Sequence, residues 1–184
     1  MSSLLKKNAQ EVESLIQSLH SIGAIKHGQF KLKSGVTSPI YINLRNLISY
    51  PRVLKAISRK IFECIETLDF DFLCGVPYSA LALATCISLE QEKPMVLRRK
   101  EQKSYGLAQK IDGEFYSGQS CVVIEDVMTT GASILETILD LENVGLKVLA
   151  VVTVVDRGQG GKESLLAKGY PVFNLFSLNE LLNA

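Results

Sequence analysis

The sequence predicts an α/β domain, a mainly parallel central sheet flanked by helices, with an N-terminal helix and hairpin ahead of it. Three observations carry this. From residue 71 onward, short apolar runs alternate with helical patterns of roughly ten residues or more, and parallel strands need such crossovers. The runs are near-continuously apolar, as in Val148-Leu-Ala-Val-Val-Thr-Val-Val155, which marks strands covered on both faces. The chain has 184 residues, 47% of them hydrophobic and 21% charged, enough for one domain with a substantial core and too apolar for global disorder.

The elements follow in order. Leu5, Val12, Leu15, Ile16, Leu19 and Ile22 recur at helical spacing, and Gly23 supplies the stop. Phe30 and Leu32 alternate with Lys31 and Lys33 in a short strand, Ser34-Gly35 and Ser38-Pro39 mark turns, and Ile40-Tyr-Ile-Asn-Leu44 reads as another strand. Pro51 suits the first turn of a second helix whose apolar face is Val53, Leu54, Ile57, Ile61, Ile65 and Leu68. Then come a strand over 71–75, a helix over 78–89 and a strand over 94–98. After a polar stretch the pattern gives a strand over 121–126, a helix over 133–144 closed by Gly145, and a strand over 147–156. A short helix over 162–168 ends at Gly169, a last strand covers 172–176, and Ser177-Leu-Asn-Glu180 is a capping-box pattern opening a terminal helix. No repeat, low-complexity tract or linker interrupts this, so 1–184 is expected to be a single domain.

Composition excludes several classes. With 20 Lys+Arg against 19 Asp+Glu the net charge is +1, so nothing global points to nucleic acid or an anionic membrane. No basic region followed by a long apolar stretch opens the chain, and the 148–155 run is too short to span a bilayer. Cys64, Cys74, Cys86 and Cys121 are widely spaced among apolar neighbours, with no CxxC pair and with His20 and His27 far from any of them. Four buried reduced thiols, no zinc site and a cytoplasmic location are expected.

In open parallel sheets ligands bind beyond the carboxyl ends of the strands, which singles out 75–79, the stretch after Arg98, 125–133 and 156–161. The most informative of these is Cys121-Val-Val-Ile-Glu-Asp-Val-Met-Thr-Thr-Gly-Ala-Ser133. An apolar strand runs into two carboxylates, then into a small, hydroxyl-rich loop that opens a helix. Backbone N–H groups at a helix start form an anion site, and Gly131 and Ala132 let a phosphate approach the main chain. Thr129, Thr130 and Ser133 add hydroxyls, while Glu125 and Asp126 suit vicinal diol hydroxyls or a metal-bound water. Phosphate donors beside diol acceptors describe a ribose 5-phosphate. Gly158-Gln-Gly-Gly-Lys162 superficially resembles a P-loop, but its spacing is wrong and Glu163 replaces the metal-binding Ser/Thr, so it reads as a flexible turn.

The 121–133 segment closely resembles the 5-phosphoribosyl-1-diphosphate (PRPP) signature of the type I phosphoribosyltransferases, and the chain from about Phe30 onward is similar to the orotate phosphoribosyltransferases among them. Phe30-Lys-Leu-Lys-Ser-Gly35 with Ser38-Pro-Ile-Tyr-Ile-Asn-Leu-Arg45 matches that family's N-terminal segment, Cys74-Gly-Val-Pro-Tyr-Ser-Ala80 its pyrophosphate loop, Arg98-Arg-Lys-Glu-Gln-Lys-Ser-Tyr-Gly106 its mobile catalytic loop, and Asp156-Arg157 its base-recognition position. The pattern is closer to the domain that eukaryotes fuse to a decarboxylase than to the common bacterial form.

The resemblance implies a type I phosphoribosyltransferase fold, with 1–50 as a base-binding hood and 51–184 as the core. It implies transfer of ribose 5-phosphate from PRPP to orotate, giving orotidine 5′-monophosphate and pyrophosphate in pyrimidine (UMP) biosynthesis. Mg²⁺ would be held mainly through PRPP and water, and the enzyme would be a homodimer with shared active sites. Lys103 and Lys33 would be catalytic. PRPP would be bound by Lys33, Tyr78, Ser79, Arg99, Lys100, Lys103, Tyr105, Glu125, Asp126, Val127, Met128, Thr129, Thr130, Gly131, Ala132 and Ser133, with Lys100 reaching the partner's site. Arg98, Arg99, Lys100 and Lys103 form a basic cluster to meet pyrophosphate, on a loop over 99–113 with Gly106 and Gly113 as hinges. Orotate would lie among Tyr41, Ile42, Thr129 and Arg157, whose guanidinium fits a carboxylate bidentately. Two features depart from the pattern: Ser79 stands where the common bacterial form has Lys, and Ser104 stands where the family usually has Asp. Ser104 keeps open an alternative, a PRPP- or nucleotide-binding regulatory protein on the same fold; a purine-using enzyme is disfavoured by Arg157 and the Leu32-Lys-Ser-Gly35 segment.

Overall fold

A computed structural model describes residues 2–31, 37–100 and 110–183, with backbone alone for 2–9. The N-terminal part is a helix α1 (Ser2–Ser21) and a separate antiparallel hairpin of β1 (Ile25–Lys31) and β2 (Thr37–Ile42). A 3-10 segment, Leu44–Ser49, leads to α2 (Pro51–Glu63), which carries Pro in its first turn. The core follows as β3 (Phe72–Gly75), α3 (Ser79–Gln91), β4 (Met95–Arg98), β5 (Ile111–Asp112), β6 (Ser120–Met128), α4 (Ala132–Asn143), β7 (Lys147–Asp156), α5 (Gly161–Ala167), β8 (Val172–Ser177) and α6 (Leu178–Leu182).

The strands form one six-stranded sheet in the order β5-β4-β3-β6-β7-β8, parallel except for β5. The chain steps outward from β3 to β4 and in the opposite direction from β6 to β7. Right-handed crossovers then place α3 and α4 on opposite faces, and α3 packs with α2 while α4 lies against β4, β6 and β7. The adjacent pair β3 and β6 is therefore the topological switch point, where a crevice opens beyond the strand ends.

The core lies in the central strands. Val122, Val123 and Ile124 on β6 and Val151, Val152 and Val154 on β7 are completely buried, each contributing roughly 1.5–3 kcal/mol of transfer free energy. On α2, Ile57 and Ile61 are completely buried at one helical turn's separation. The helix ends at Glu63, earlier than its apolar spacing predicts; Ile65 is also completely buried, but in the turn that follows. Periodicity reported burial there, and burial continued after the helix stopped.

Three expectations need correction. Only Cys74 and Cys121 are buried, while Cys64 and Cys86 are half-buried; all four are free. Burial pushes the Cys74 thiol up to about 12, so it is inert near neutrality. The 3-10 segment and β5 are absent from the sequence reading, each too short to impose a period. And β5 redefines the loop after β4: Arg98 pairs with Ile111, Leu97 with Asp112, and the Arg99 amide donates to the Lys110 carbonyl at 2.7 Å. The returning strand pairs with β4 ahead of Gly113, so Gly113 lies beyond that pairing; Gly106 lies outside the described residues.

Candidate active site

Two loops meet at the switch point, 76–79 after β3 and 129–131 after β6. Each opens a helix. The N-caps of α3 and α4 are Tyr78 and Gly131, and neither N-terminus receives a hydrogen bond from a capping side chain. The contrast is α6, where Ser177 and Glu180 form the reciprocal capping box that the sequence predicted. Uncapped N–H groups at α3 and α4 leave two positive helix ends, ready for anions, on either side of one crevice. Thr129, Thr130, Ala132 and Ser133 are exposed around the second of them.

Gly131 is buried with φ 78°, a left-handed conformation that a side chain would strain. Beneath it lies the glycine turn that resembled a P-loop. The Gly161 amide donates to the Thr129 carbonyl at 3.0 Å, and a Cβ on Gly161 would stand 2.5 Å from that oxygen and 3.0 Å from the Gly131 nitrogen. The turn is thus a close-packed support for the phosphate loop rather than a free linker. Val127 and Met128 lie in β6 rather than in the loop: they pair with Val155 and Asp156, and the Met128 side chain is buried in the core. Their contribution is to fix where the loop begins.

The two carboxylates are unequal. Glu125 is buried; its Oε2 accepts from the Ser133 hydroxyl at 3.0 Å and its Oε1 from the Asp126 amide, also at 3.0 Å. Burial, with Asp126 as hydrogen-bond partner and neighbouring charge, pushes its pKa up to about 9, so Glu125 is protonated at neutral pH. Asp126 is half-buried and caps the Val127 amide at 2.8 Å. The pair therefore offers one neutral carboxyl and one more accessible carboxylate to a diol.

At the end of β7, Arg157 is 9% exposed. Its amide donates to the Met128 carbonyl at 3.0 Å, which ties it to the phosphate loop, and its Nη2 donates to the Ser38 hydroxyl at 3.1 Å. Its Nε is buried without a partner among the described residues. Ser38 joins the hairpin to Arg157, a contact that sequence reasoning missed. The β2 alternation puts Ser38, Ile40 and Ile42 on the covered face and Tyr41 on the exposed one, where its ring lies 5.5 Å from that of Phe30. Tyr41 and Ile42 thus point to opposite faces of β2, and Ile42 shares the face of Ser38, the partner of Arg157.

The first loop borders a cavity of about 420 Å³ lined by Arg45, Ile48, Pro77, Tyr78, Ser79 and Lys100. The Pro77–Tyr78 peptide is cis, and Lys100 Nζ stands 5.9 Å from the Tyr78 ring centroid. Arg45 and Lys100 are the cations on the wall of this cavity, beside the uncharged Ser79, and sequence reasoning gave Arg45 no role. Reaching a partner's site would take Lys100 away from its own Tyr78. Arg98 does not join the basic cluster. It is buried and paired, its Nε donating to Asp140 at 2.7 Å with Glu136 3.6 Å away. Arg99 is ion-paired to Asp112, so any pyrophosphate would share it. Lys33, Lys103, Ser104 and Tyr105 lie outside the described residues.

A family model described as "Phosphoribosyl transferase domain" matches residues 44–174. The chain is 43% identical over 171 residues to orotate phosphoribosyltransferase of Chlamydia caviae, covering 92% of this chain and 83% of that one. It is 43% identical to uridine 5′-monophosphate synthase of Bos taurus over 92% of this chain, spanning 36% of that longer protein. The leaning toward the eukaryotic fused form thus has an equal bacterial counterpart. Among solved structures, orotate phosphoribosyltransferase from Aeropyrum pernix superposes with a TM-score of 0.83 at 30% identity, over 92% of this chain and 96% of that one. Uncapped helix starts at the switch point, the Glu125-Asp126 pair, the buried Arg157 and these matches agree: the chain belongs to the orotate phosphoribosyltransferase family of the type I phosphoribosyltransferases.

Proposed function

We propose the following division of labour for the family's reaction, transfer of ribose 5-phosphate from PRPP to orotate. The observation that carries it is Arg157: a buried guanidinium with an unpartnered Nε, one backbone hydrogen bond from the phosphate loop. A buried donor left unpaired is costly, and the planar carboxylate of orotate would satisfy it bidentately. Ser38 holds the other side of the guanidinium and so orients it. The N-terminal segment 1–50 then serves as the hood over the base, with Ile42 on the inner face.

The start of α4, with Thr129, Thr130, Gly131, Ala132 and Ser133, takes the 5-phosphate. Glu125 and Asp126 take the ribose hydroxyls, the neutral Glu125 carboxyl as a donor or acceptor and Asp126 as an acceptor. The ring nitrogen of orotate needs little activation, because the ring is acidic. The demanding part is positive charge developing at the anomeric carbon as pyrophosphate leaves. Asp126 stabilises that charge from nearby. The start of α3, with Arg45 and, by family likeness, Lys103 and Lys33, receives the negative charge of the leaving group.

Mg²⁺ would arrive as an ion carried by the substrate, and Asp126, half-buried beside the loop, would accept a hydrogen bond from a water of its shell. When bound, the ion neutralises part of the pyrophosphate charge. A homodimer sharing residues through Lys100 and a cytoplasmic location complete the reading. In support of the latter, no described helix is long and apolar enough to cross a membrane, and both substrates are water-soluble anions.

The test is incubation with PRPP, Mg²⁺ and either orotate or a purine base, following pyrophosphate release. Release with orotate alone is expected. PRPP binding without release would overturn the reading in favour of a regulatory binder. Activity restored on mixing Lys100→Ala with Asp126→Asn protomers is expected for the shared dimer.

A further inference from the structure

Glu125 is 5% exposed, and its two oxygens have different partners. Oε1 accepts from the Asp126 amide and Oε2 from the Ser133 hydroxyl, each at 3.0 Å. A backbone amide only donates, so in the protonated acid Oε1 is the carbonyl oxygen and the proton belongs on Oε2, against Ser133. Ser133 itself is exposed, the second residue of α4, among the unsatisfied N–H groups of that helix start. It is thus the one side chain seen to join the buried acid to the surface of the proposed phosphate cradle. A serine hydroxyl has one proton and two lone pairs. It cannot donate to Glu125 and to a phosphate at once, but it can donate to a phosphate while accepting from Glu125.

We propose that Glu125 is a positioning residue for the 5-phosphate: as a neutral acid it reverses its hydrogen bond to Ser133 when the phosphate arrives, donating from Oε2 to the serine oxygen so that the serine proton turns to the phosphate. Each proton stays on its own oxygen, and only the direction of the hydrogen bond changes. The proposal rests on the functional reading above, which puts the 5-phosphate at the start of α4. Oε1 keeps a second lone pair for a ribose hydroxyl, so one acid serves both ends of the sugar phosphate. An ionised Glu125 would do the opposite, competing for the serine proton and setting a like charge one side chain from a dianion. Burial, with Asp126 as hydrogen-bond partner and neighbouring charge, keeps the acid protonated up to about pH 9. The other elements against it bring no charge: Thr153 is its register partner on β7, Gly75 stands across from Ile124 on β3, and α3 and α4 open with Ser79-Ala-Leu81 and Ala132-Ser-Ile134.

The test is calorimetric titration of the full chain with ribose 5-phosphate, in two buffers of unlike ionisation enthalpy, which reads proton uptake. The phosphate of the ligand, with a second pKa near 6, is fully ionised above pH 8 and contributes no proton. At pH 9, where free Glu125 is half protonated, binding should take up as much as about half a proton, because the bound phosphate holds the acid neutral. Affinity should fall about fourfold from pH 8 to pH 9.5 by the same linkage. Glu125→Gln should abolish both the uptake and that fall. Ser133→Ala, at an exposed position, should lose about tenfold in affinity for want of a charge-assisted hydrogen bond, and at least half of the uptake. Binding to the parent without uptake at pH 9 overturns the proposal. So does full uptake in Ser133→Ala, which would mean that phosphate and acid sense each other through space and not through the hydroxyl. If ribose 5-phosphate fails to bind the parent at all, the functional reading of the cradle falls, and the proposal with it.

Discussion

The ends of β4 and β7 each bury an arginine, and the two are treated differently. Arg98, 6% exposed, has its guanidinium taken by Asp140 with Glu136 nearby. Arg157, 9% exposed, touches one serine hydroxyl and leaves its Nε without a partner among the described residues. A buried cation with its own carboxylate is part of the architecture. On the proposed reading, one without is kept for a carboxylate that arrives with the substrate. From sequence both are arginines at strand ends, and only their partners separate them.

Replacing Arg157 should give the largest effect on this contrast. Arg157→Met should lower kcat/KM for orotate by roughly 100-fold, about 3 kcal/mol of charged hydrogen bonding, while thermal stability holds or rises because an unpaired buried charge is gone. Steady-state kinetics with orotate as the varied substrate, beside a melting curve, checks both; loss of stability with unchanged orotate kinetics would put Arg157 with Arg98. Gly161→Ala comes next, moving Arg157's neighbourhood without altering a charge. Its Cβ would meet the Thr129 carbonyl at 2.5 Å, forcing the phosphate loop to shift at a cost of about 1–3 kcal/mol. A rise of about tenfold in KM for PRPP is expected, larger than any change in KM for orotate.

A prediction read in stability rather than in kinetics concerns a third solution to the same problem, the buried acid that neutralises itself. The pKa of Glu125 is raised from 4.5 to about 9 in the folded chain, so the folded state keeps a proton that the unfolded state loses. Its contribution to stability is fully present below pH 4.5 and declines as pH rises toward about 9. Glu125→Gln should remove that decline. Melting temperatures across this range should show the variant gaining on the parent as pH rises, and parallel curves would mean that Glu125 is ionised when folded.

Most of the fold was legible because its signals are periodic: apolar strands, helical spacing, glycine stops and the Ser177–Glu180 box each left a pattern several residues long. What escaped had no period. The two-residue β5 and the 3-10 segment are shorter than one repeat, and the early stop of α2 hides under apolar residues that stay buried past it. The site divides along the same line. The Glu125–Ser133 run was readable because strand, acids and small loop are contiguous. Ser38 with Arg157, Arg98 with Asp140, and Gly161 under Thr129 are pairings across sequence distance, made by the sheet order, and no local pattern announces them. Arg98 was misjudged for this reason: a run of like charges looks like one surface until a distant carboxylate claims its first member.

The hydrogen bonds from the amides of Arg157 and Gly161 to the carbonyls of Met128 and Thr129 prolong the β6–β7 pairing past the strands themselves. The proposed base site hangs from one of these prolonged edges and the ribose phosphate from the other. Neighbouring strands repeat at about 4.8 Å whatever their side chains. The gap across which the two reactants face one another is then gauged by the peptide backbone, a ruler whose divisions side-chain substitution alone does not rescale.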